Sequence, residues 1–402
     1  MRKYLILAFI LVAGMAAAAD IETSGFLDAR YGQALQNTPD VDSETLKEVR
    51  LQLGAVWYQD LSTLTLRSDF LYDDVVDTHD EIDLESGEGP VDLREANILF
   101  TPVPWADVKL GRQILTWGTG DLLFINDLFA KDWKSFFSGR DEEYLKAPSD
   151  ALFVSLFPSW ATIDVAYMPR FDADRYIDGE RFSYWNGTEV TGDPLQTERP
   201  DTWFSDDELS IRVYRTVAGW ELAGYLYDGF WKSPQGFDPD SGKNTFPELP
   251  VYGASARGAL AGGIVHVEAG YYDSRENPDG DLPFLPDSQY RFLTGYEQEI
   301  ATNLNGAAQY YLEHTSHAEE TRHVLTLRLT QRLMNQTLNL GLFTYWSPSD
   351  EDGYLRPSAV YKLTDAWRLE ARGNIFFGKT NDTFFGQFED SSNVSLAVRT
   401  SF

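Results

Sequence analysis

The chain has 402 residues, 63 acidic against 33 basic, a formal net charge of −30, 14% aromatic residues and no Cys. That balance argues against a nucleic-acid partner, and the missing thiols exclude disulfides, a lipoprotein anchor and thiolate chemistry. Beyond the N-terminus no stretch approaches ~18 consecutive apolar residues, so helical membrane spans are excluded as well.

Residues 1–19 have the layout of a secretory signal peptide. Arg2 and Lys3 form a charged start, Tyr4 to Val12 an apolar run, and Ala16 to Ala19 a cleavage zone. Residues 20–402 form one domain of two-faced runs about 9–11 residues long, the length of a tilted strand crossing a bilayer. The first are Ser24–Gly32, Glu48–Tyr58, Thr63–Tyr72, Arg94–Thr101 and Val108–Trp117. Then come Leu152–Pro158, Thr162–Arg170, Glu208–Thr216, Glu221–Phe230, Val251–Leu260 and Ile264–Tyr272. Tyr290–Ile300, Asn305–His314, Arg322–Leu333, Leu338–Trp346, Leu355–Leu363, Arg368–Gly378 and Asn393–Phe402 complete the count. Short and long connections alternate, with turns such as Ala218-Gly219 and Gly262-Gly263 on one side. The expected fold is an all-β, antiparallel, up-and-down transmembrane barrel of 18 strands (16 at the fewest), with both termini on the periplasmic side.

The faces support a membrane setting. In 368–378, Leu369, Ala371, Ile375 and Phe377 share one side, and Arg368, Glu370, Arg372 and Asn374 the other. Trp57, Trp105, Trp160, Trp220, Trp346 and Trp367 fall at strand ends, where interfacial girdles lie. The last strand puts Val394, Leu396, Val398 and Phe402 on its apolar face. It resembles the C-terminal signal of bacterial outer-membrane barrels. That resemblance implies reading of Phe402 by the barrel-assembly machinery and closure of this strand against the first.

Inward positions carry many charges. Arg30, Arg50, Arg67, Arg328, Arg356, Arg368, Arg372 and Arg399 read as one basic wall across the closure seam. Asp164, Glu268, Glu297 and Glu313 read as an acidic wall opposite. Facing walls of opposite sign impose a transverse field on solutes; the alternative is local pairing, Arg368 with Glu370 and Arg67 with Asp69. The acidic run from Asp73 to Asp92, with nine acids, is a loop.

The long loop that ends at Pro148 carries Leu128, Phe129, Trp133, Phe136 and Phe137 at helical spacing. It is expected to hold a short amphipathic helix and to fold into the lumen as a constriction, with Lys131, Lys134 and Arg140 offering positive charge. Packing on the rim is the alternative. Just before it stand Gly111, Arg112, Gln113, Trp117 and Gly118. This pattern resembles alginate-export-type and related outer-membrane porins, which implies that Arg112 lines the pore. Strict alternation from Val108 and Leu110 would instead turn Arg112 outward, unless Gly111 forms a bulge.

The resulting expectation is a Gram-negative outer-membrane porin that passes small hydrophilic solutes, anionic or carbohydrate-like, through a charged lumen, and is not an enzyme. The alternatives are a non-conducting, partner-plugged scaffold barrel and, behind it, a barrel enzyme using His266 or His317. Expected partners are outer-membrane lipid, lipopolysaccharide, the assembly machinery, a small solute and further copies of the chain. No cofactor is expected; acidic loops at Asp238 and Asp240, Asp279 and Asp281, and Asp350 and Asp352 are candidates only for weak Ca²⁺ or Mg²⁺ binding.

Overall fold

The computed structural model describes residues 21–38, 40–76, 80–318 and 320–402, so the expected signal peptide lies outside the described residues. Eighteen antiparallel strands form one closed barrel. They begin with β1 (Ile21–Ala34), β2 (Glu44–Gln59), β3 (Ser62–Asp73), β4 (Val91–Val103), β5 (Ala106–Ile114) and β6 (Pro148–Leu156). The middle third is β7 (Thr162–Met168), β8 (Glu208–Val217), β9 (Trp220–Phe230), β10 (Glu248–Leu260), β11 (Gly263–Tyr272) and β12 (Gln289–Ala301). The last third is β13 (Leu304–Thr315), β14 (Thr321–Leu333), β15 (Leu338–Ser347), β16 (Asp352–Lys362), β17 (Trp367–Gly378) and β18 (Asn393–Ser401). Each pairs with its chain neighbour, and β18 returns to β1 from Phe26 opposite Ser401 to Ala34 opposite Asn393.

Every expected strand is present. Two of them, β4 and β12, carry bulges. The β3–β4 ladder slips between Arg67 and Ser68, leaving Arg94 as the extra residue, and the β12–β13 ladder slips between Glu299 and Ala301. At one end the connections are tight. Ala218-Gly219 and Ala261-Gly262 each take two consecutive positive φ angles, the geometry that matches the twist of paired strands. At the other end lie the long connections, with 115–147 and 169–207 the largest and 74–90 and 231–247 next.

The outward face is apolar along the strands, with Leu66, Leu110, Leu327 and Leu396 exposed. Trp57, Trp105, Trp160 and Trp367 stand exposed at the tight-turn end and Trp346 at the loop end. The core of the molecule is inside the barrel. In the loop-end half of the lumen, Ile125, Phe136 and Leu145 of the 115–147 loop pack with Phe182 of the 169–207 loop against Tyr272, Tyr345, Tyr354 and Phe376 of the wall. A lumen read as charged throughout is therefore aromatic over that half, because inward Tyr and Phe follow inward Arg and Glu along the same strands.

Candidate functional site

The 115–147 loop folds into the barrel and carries one helix, α1 (Trp133–Ser138). Its length is set by its caps: Asp132 accepts the Ser135 N–H at 2.7 Å, and Gly139 closes it in the left-handed region at φ 89°. The predicted apolar stripe is real but shorter in helix. Leu128 and Phe129 precede it in irregular chain, while Phe136 and Phe137 are buried against Tyr354.

The predicted basic wall exists, and the loop's own acids occupy it. Asp141 lies 2.5 Å from Arg372, 2.7 Å from Arg368 and Arg399, and 3.7 Å from Arg30. Glu370 bridges the same arginines, at 2.9 Å from Arg30 and 2.6 Å from Arg368, while Asp28 holds Arg399 at 2.9 Å. Glu142 meets Arg328 at 3.1 Å and Arg356 at 3.3 Å, and Asp121 meets Arg328 at 2.5 Å. Burial alone would raise the Asp141 pKa, but the guanidiniums of Arg372, Arg399, Arg30 and Arg368 hold it well below the carboxylate range. Glu142 is lowered in the same way, chiefly by Arg328 against burial.

Other site residues are paired too. Arg50 donates to Glu48 and Asp69 and stacks 4.4 Å over Tyr144, whose hydroxyl donates to Asp69. Arg67 pairs at 2.9 Å with Glu95 rather than with Asp69. Asp164 accepts from Ser155, Arg257 pairs with Glu297, and Arg291 pairs with Glu313. The loop cations do not supply free positive charge. Lys131 is buried on Asp127 and two backbone carbonyls, and Arg140 is taken by Glu48 and Asp73. Lys134 sits 2.5 Å from both Glu88 and Asp178; these acids raise its pKa although burial opposes them. It fills the space between Glu88, Asp178 and Glu180 that a metal ion would need.

Arg112 is a correction. Gly111 does take φ 115°, where a Cβ would meet the Ala96 carbonyl at 2.3 Å, yet alternation is kept across it. Arg112 lies opposite Ala96, which faces out beside Leu66, so Arg112 is on the outside of the barrel. There it pairs with Asp150 at 2.8 Å and donates to the Leu84 carbonyl of the 74–90 loop at 2.8 Å. The inward neighbour is Gln113, fully buried on the Gly111 and Ala151 carbonyls. Of the acidic-loop carboxylates, Asp238 caps its own turn, Asp350 pairs with Arg322, and Asp352 accepts the Phe385 N–H.

The feature that sequence reading missed is a wall-bound loop segment, a seal between two cavities of the lumen wall. Residues 119–126 run along the inner wall at mid-height and are bonded to it at 119–122 and again at 125 and 126. Glu268 accepts the N–H groups of Thr119 and Gly120 and the Asn126 amide. Gln309 accepts the Asp121 N–H at 2.8 Å and donates to its carbonyl at 2.9 Å. Tyr345 donates to the Leu122 carbonyl at 2.5 Å and Tyr272 to the Ile125 carbonyl at 2.6 Å. Strand register shows what this divides. On β13, Tyr311 borders a cavity of about 320 Å³ toward the loop end, Gln309 holds the segment, and Ala307 borders a cavity of about 510 Å³ toward the tight turns. Val324, Thr326 and Arg328 repeat the order on β14. His266 belongs to this layer, 3.2 Å from Gln309, as a wall residue.

The 169–207 loop was also silent in the sequence, since its aromatic and charged residues follow no period. It lays Arg175 on Asp92 and Asp132 and Arg181 on Asp73. Its Asp172 has one carboxylate oxygen without a partner. Burial first, then Glu208 and Asp150, push the Asp172 pKa up to about 6 against Lys232 and Arg199. The unfolded value is ~3.9, so the folded loop binds more protons between the two values and is stabilised as pH falls through 6. Backbone protection in 169–182, relative to the unstructured-chain exchange rate at each pH, is expected to rise between about pH 7.5 and about pH 5, by up to the ~1.4 kcal/mol that each pKa unit is worth. Asp172→Asn should abolish the difference; an unchanged pH response in that variant would assign it elsewhere.

No protein-family model and no curated protein sequence matches the chain. Solved structures share its fold. OccK11 (OpdR) of Pseudomonas aeruginosa aligns with a TM-score of 0.56 at 8% identity, covering 95% of this chain and 96% of that one. OccD3 (OpdP) of the same organism gives 0.55 at 9% identity, covering 96% and 91%. OmpT of Vibrio cholerae, an outer membrane protein in trimer form, aligns at 0.44 with 11% identity, over 95% and 99%. At such identities the likeness is one of fold.

Proposed function

We propose that the chain is an outer-membrane, porin-type channel for small water-soluble organic solutes, held closed at rest by its own loop. On this reading residues 1–19 are removed after export, the exposed outward leucines face lipid, and the tight turns lie in the periplasm. The likeness of fold to OccK11 and OccD3 over nearly the whole chain supports this reading. The observation that carries the gating is the 119–126 segment bonded to Glu268, Gln309, Tyr345 and Tyr272 between two cavities. A general diffusion pore needs a continuous wet path, whereas this lumen has a loop segment fixed along its wall between those two cavities.

The anion preference suggested by the basic wall has no free charge behind it here, because Asp141, Glu142 and Asp121 already neutralise those arginines. The same seal supports the second reading, a scaffold barrel that never conducts. Planar-bilayer recording separates them. Wild type is expected to show small, infrequent openings, and Glu268→Ala, which frees the Thr119 and Gly120 N–H groups, to raise the open fraction about tenfold, the effect of ~1.4 kcal/mol on a two-state equilibrium. Silence from both proteins after verified refolding would establish the scaffold reading. A permanently open wild type would remove the seal.

A further inference from the structure

The cavity above the seal points to the chemical class of solute. It has about 320 Å³, within the range of small-molecule sites, and opens toward the loop end into a second cavity of about 630 Å³ through shared residues Trp133, Phe137 and Phe384. Its floor is the seal itself, with Leu122 and Leu128; Tyr272, Tyr311 and Tyr345 form the wall, and Trp231 the roof.

Most polar groups around it are already used, and the buried Trp231 indole N–H is a donor left without a partner. Tyr272 and Tyr345 spend their hydroxyls on seal carbonyls, and Tyr311 donates to Glu313 at 2.6 Å. They therefore present rings, not hydroxyls, to the space. Each cation has its anion: Arg291 has Glu313 at 3.0 Å, Arg322 has Asp350 at 2.6 Å, Lys131 has Asp127 at 3.0 Å and Lys232 has Glu208 at 2.5 Å. Asp174 accepts from Trp133 at 3.1 Å and from Ser233 at 2.9 Å. A charged solute would have to break one of these pairs. A sugar would lose water from many hydroxyls and recover few bonds, since the lining offers little beyond the Trp231 N–H and the Gln235 amide, the Gln289 oxygen being held by Arg291. Ring faces and leucines instead reward an apolar ring.

We infer that this cavity is a binding site for an uncharged, ring-bearing organic molecule with at most one or two neutral polar groups. The proposal rests on the channel reading for its biological sense, but binding needs no conduction and is tested apart from it. The barrel, refolded into nanodiscs to avoid detergent chains, is titrated with 2-naphthol, naphthalene-2-sulfonate and maltose, following Trp emission and heat. The expected result is saturable one-to-one binding of 2-naphthol, at least about tenfold tighter than of either comparator. Val324→Trp, which fills the cavity from the wall, should weaken it by about tenfold or more. Should that variant not fold, Leu128→Gln on the loop makes the same test by lowering the apolar gain. Equal or tighter binding of the sulfonate or of maltose overturns the proposal. So does naphthol uptake that never saturates and is the same in wild type and variant, which is partition into lipid. A barrel that binds naphthol while Glu268→Ala stays silent keeps this site and loses the channel; one that conducts without binding loses only the site.

Discussion

Asp141→Ala is expected to release the 115–147 loop from the barrel wall and to create an anion-selective leak. The carboxylate is shared by Arg30, Arg368, Arg372 and Arg399, and two of those, Arg30 and Arg399, are only 4% exposed. Removing one partner from a buried ionic cluster typically costs ~3–5 kcal/mol, because the remaining charges stay desolvated and unpaired. Glu370 and Asp28 retain part of the compensation, so the lower end of that range is expected in denaturant refolding. The cheapest relief is for water to enter and the loop to lift. Single-channel conductance should then rise several-fold, and reversal potentials in a salt gradient should shift toward the anion potential. The double change Arg368→Gln with Arg372→Gln should shift selectivity little in the wild-type background, since those charges are already neutralised, and should cancel the leak's preference in the Asp141→Ala background. A full selectivity shift from the double change alone would mean that the arginines face the path unpaired.

Leu396→Arg and removal of Phe402 are expected to deplete the protein from the membrane. Leu396 is 64% exposed on the outward face of β18, where an arginine near the midplane costs ~2–4 kcal/mol. Phe402 exchanges both backbone hydrogen bonds with Gly25 at 3.0 Å, and its ring lies where a Gly25 Cβ would come within 2.8 Å. Its loss removes the last rung of the seam together with a terminal aromatic. Heat-modifiable, folded protein in outer-membrane fractions should drop about tenfold or more in both variants, the ratio that ~1.4 kcal/mol already produces. Normal levels of both would show that the end of the chain is neither a lipid-facing seam nor an assembly signal.

The barrel is legible in the sequence because a strand writes its two faces into alternate residues, so Arg399 and Leu396 announce opposite sides without any knowledge of partners. Gly111 shows the limit of that reading: a positive φ is compatible with either face, and the register with Ala96 decides that Arg112 points out. The basic wall and the Arg368–Glu370 pair could be read from sequence alone, but the loop carboxylates that complete the neutralisation could not. Arg328 and Asp121 are 207 residues apart, and nothing periodic links a loop carboxylate to a strand guanidinium. Lys134 misled for the same reason, since its acids come from positions as distant as Asp178, whereas Lys131 is paired locally by Asp127 four residues earlier. Glu268 looked like a lumen charge and is a hydrogen-bond anchor for backbone, a role that leaves no sequence trace.

The partners of Asp141 also impose an order in time. Arg30 belongs to β1, Arg368 and Arg372 to β17, and Arg399 to β18, so the site that receives this carboxylate does not exist until the two ends of the chain have met. The loop is synthesised long before its dock. During that interval Phe136 and Phe137 have no Tyr354 or Phe376 to pack on and are open to whatever escorts unfolded chains. Loop docking is thereby a late step conditional on closure, and a barrel arrested with its seam unzipped would be both sticky and permeable. Completion of the last strand removes both hazards at once, making the closed lumen a record that assembly has finished.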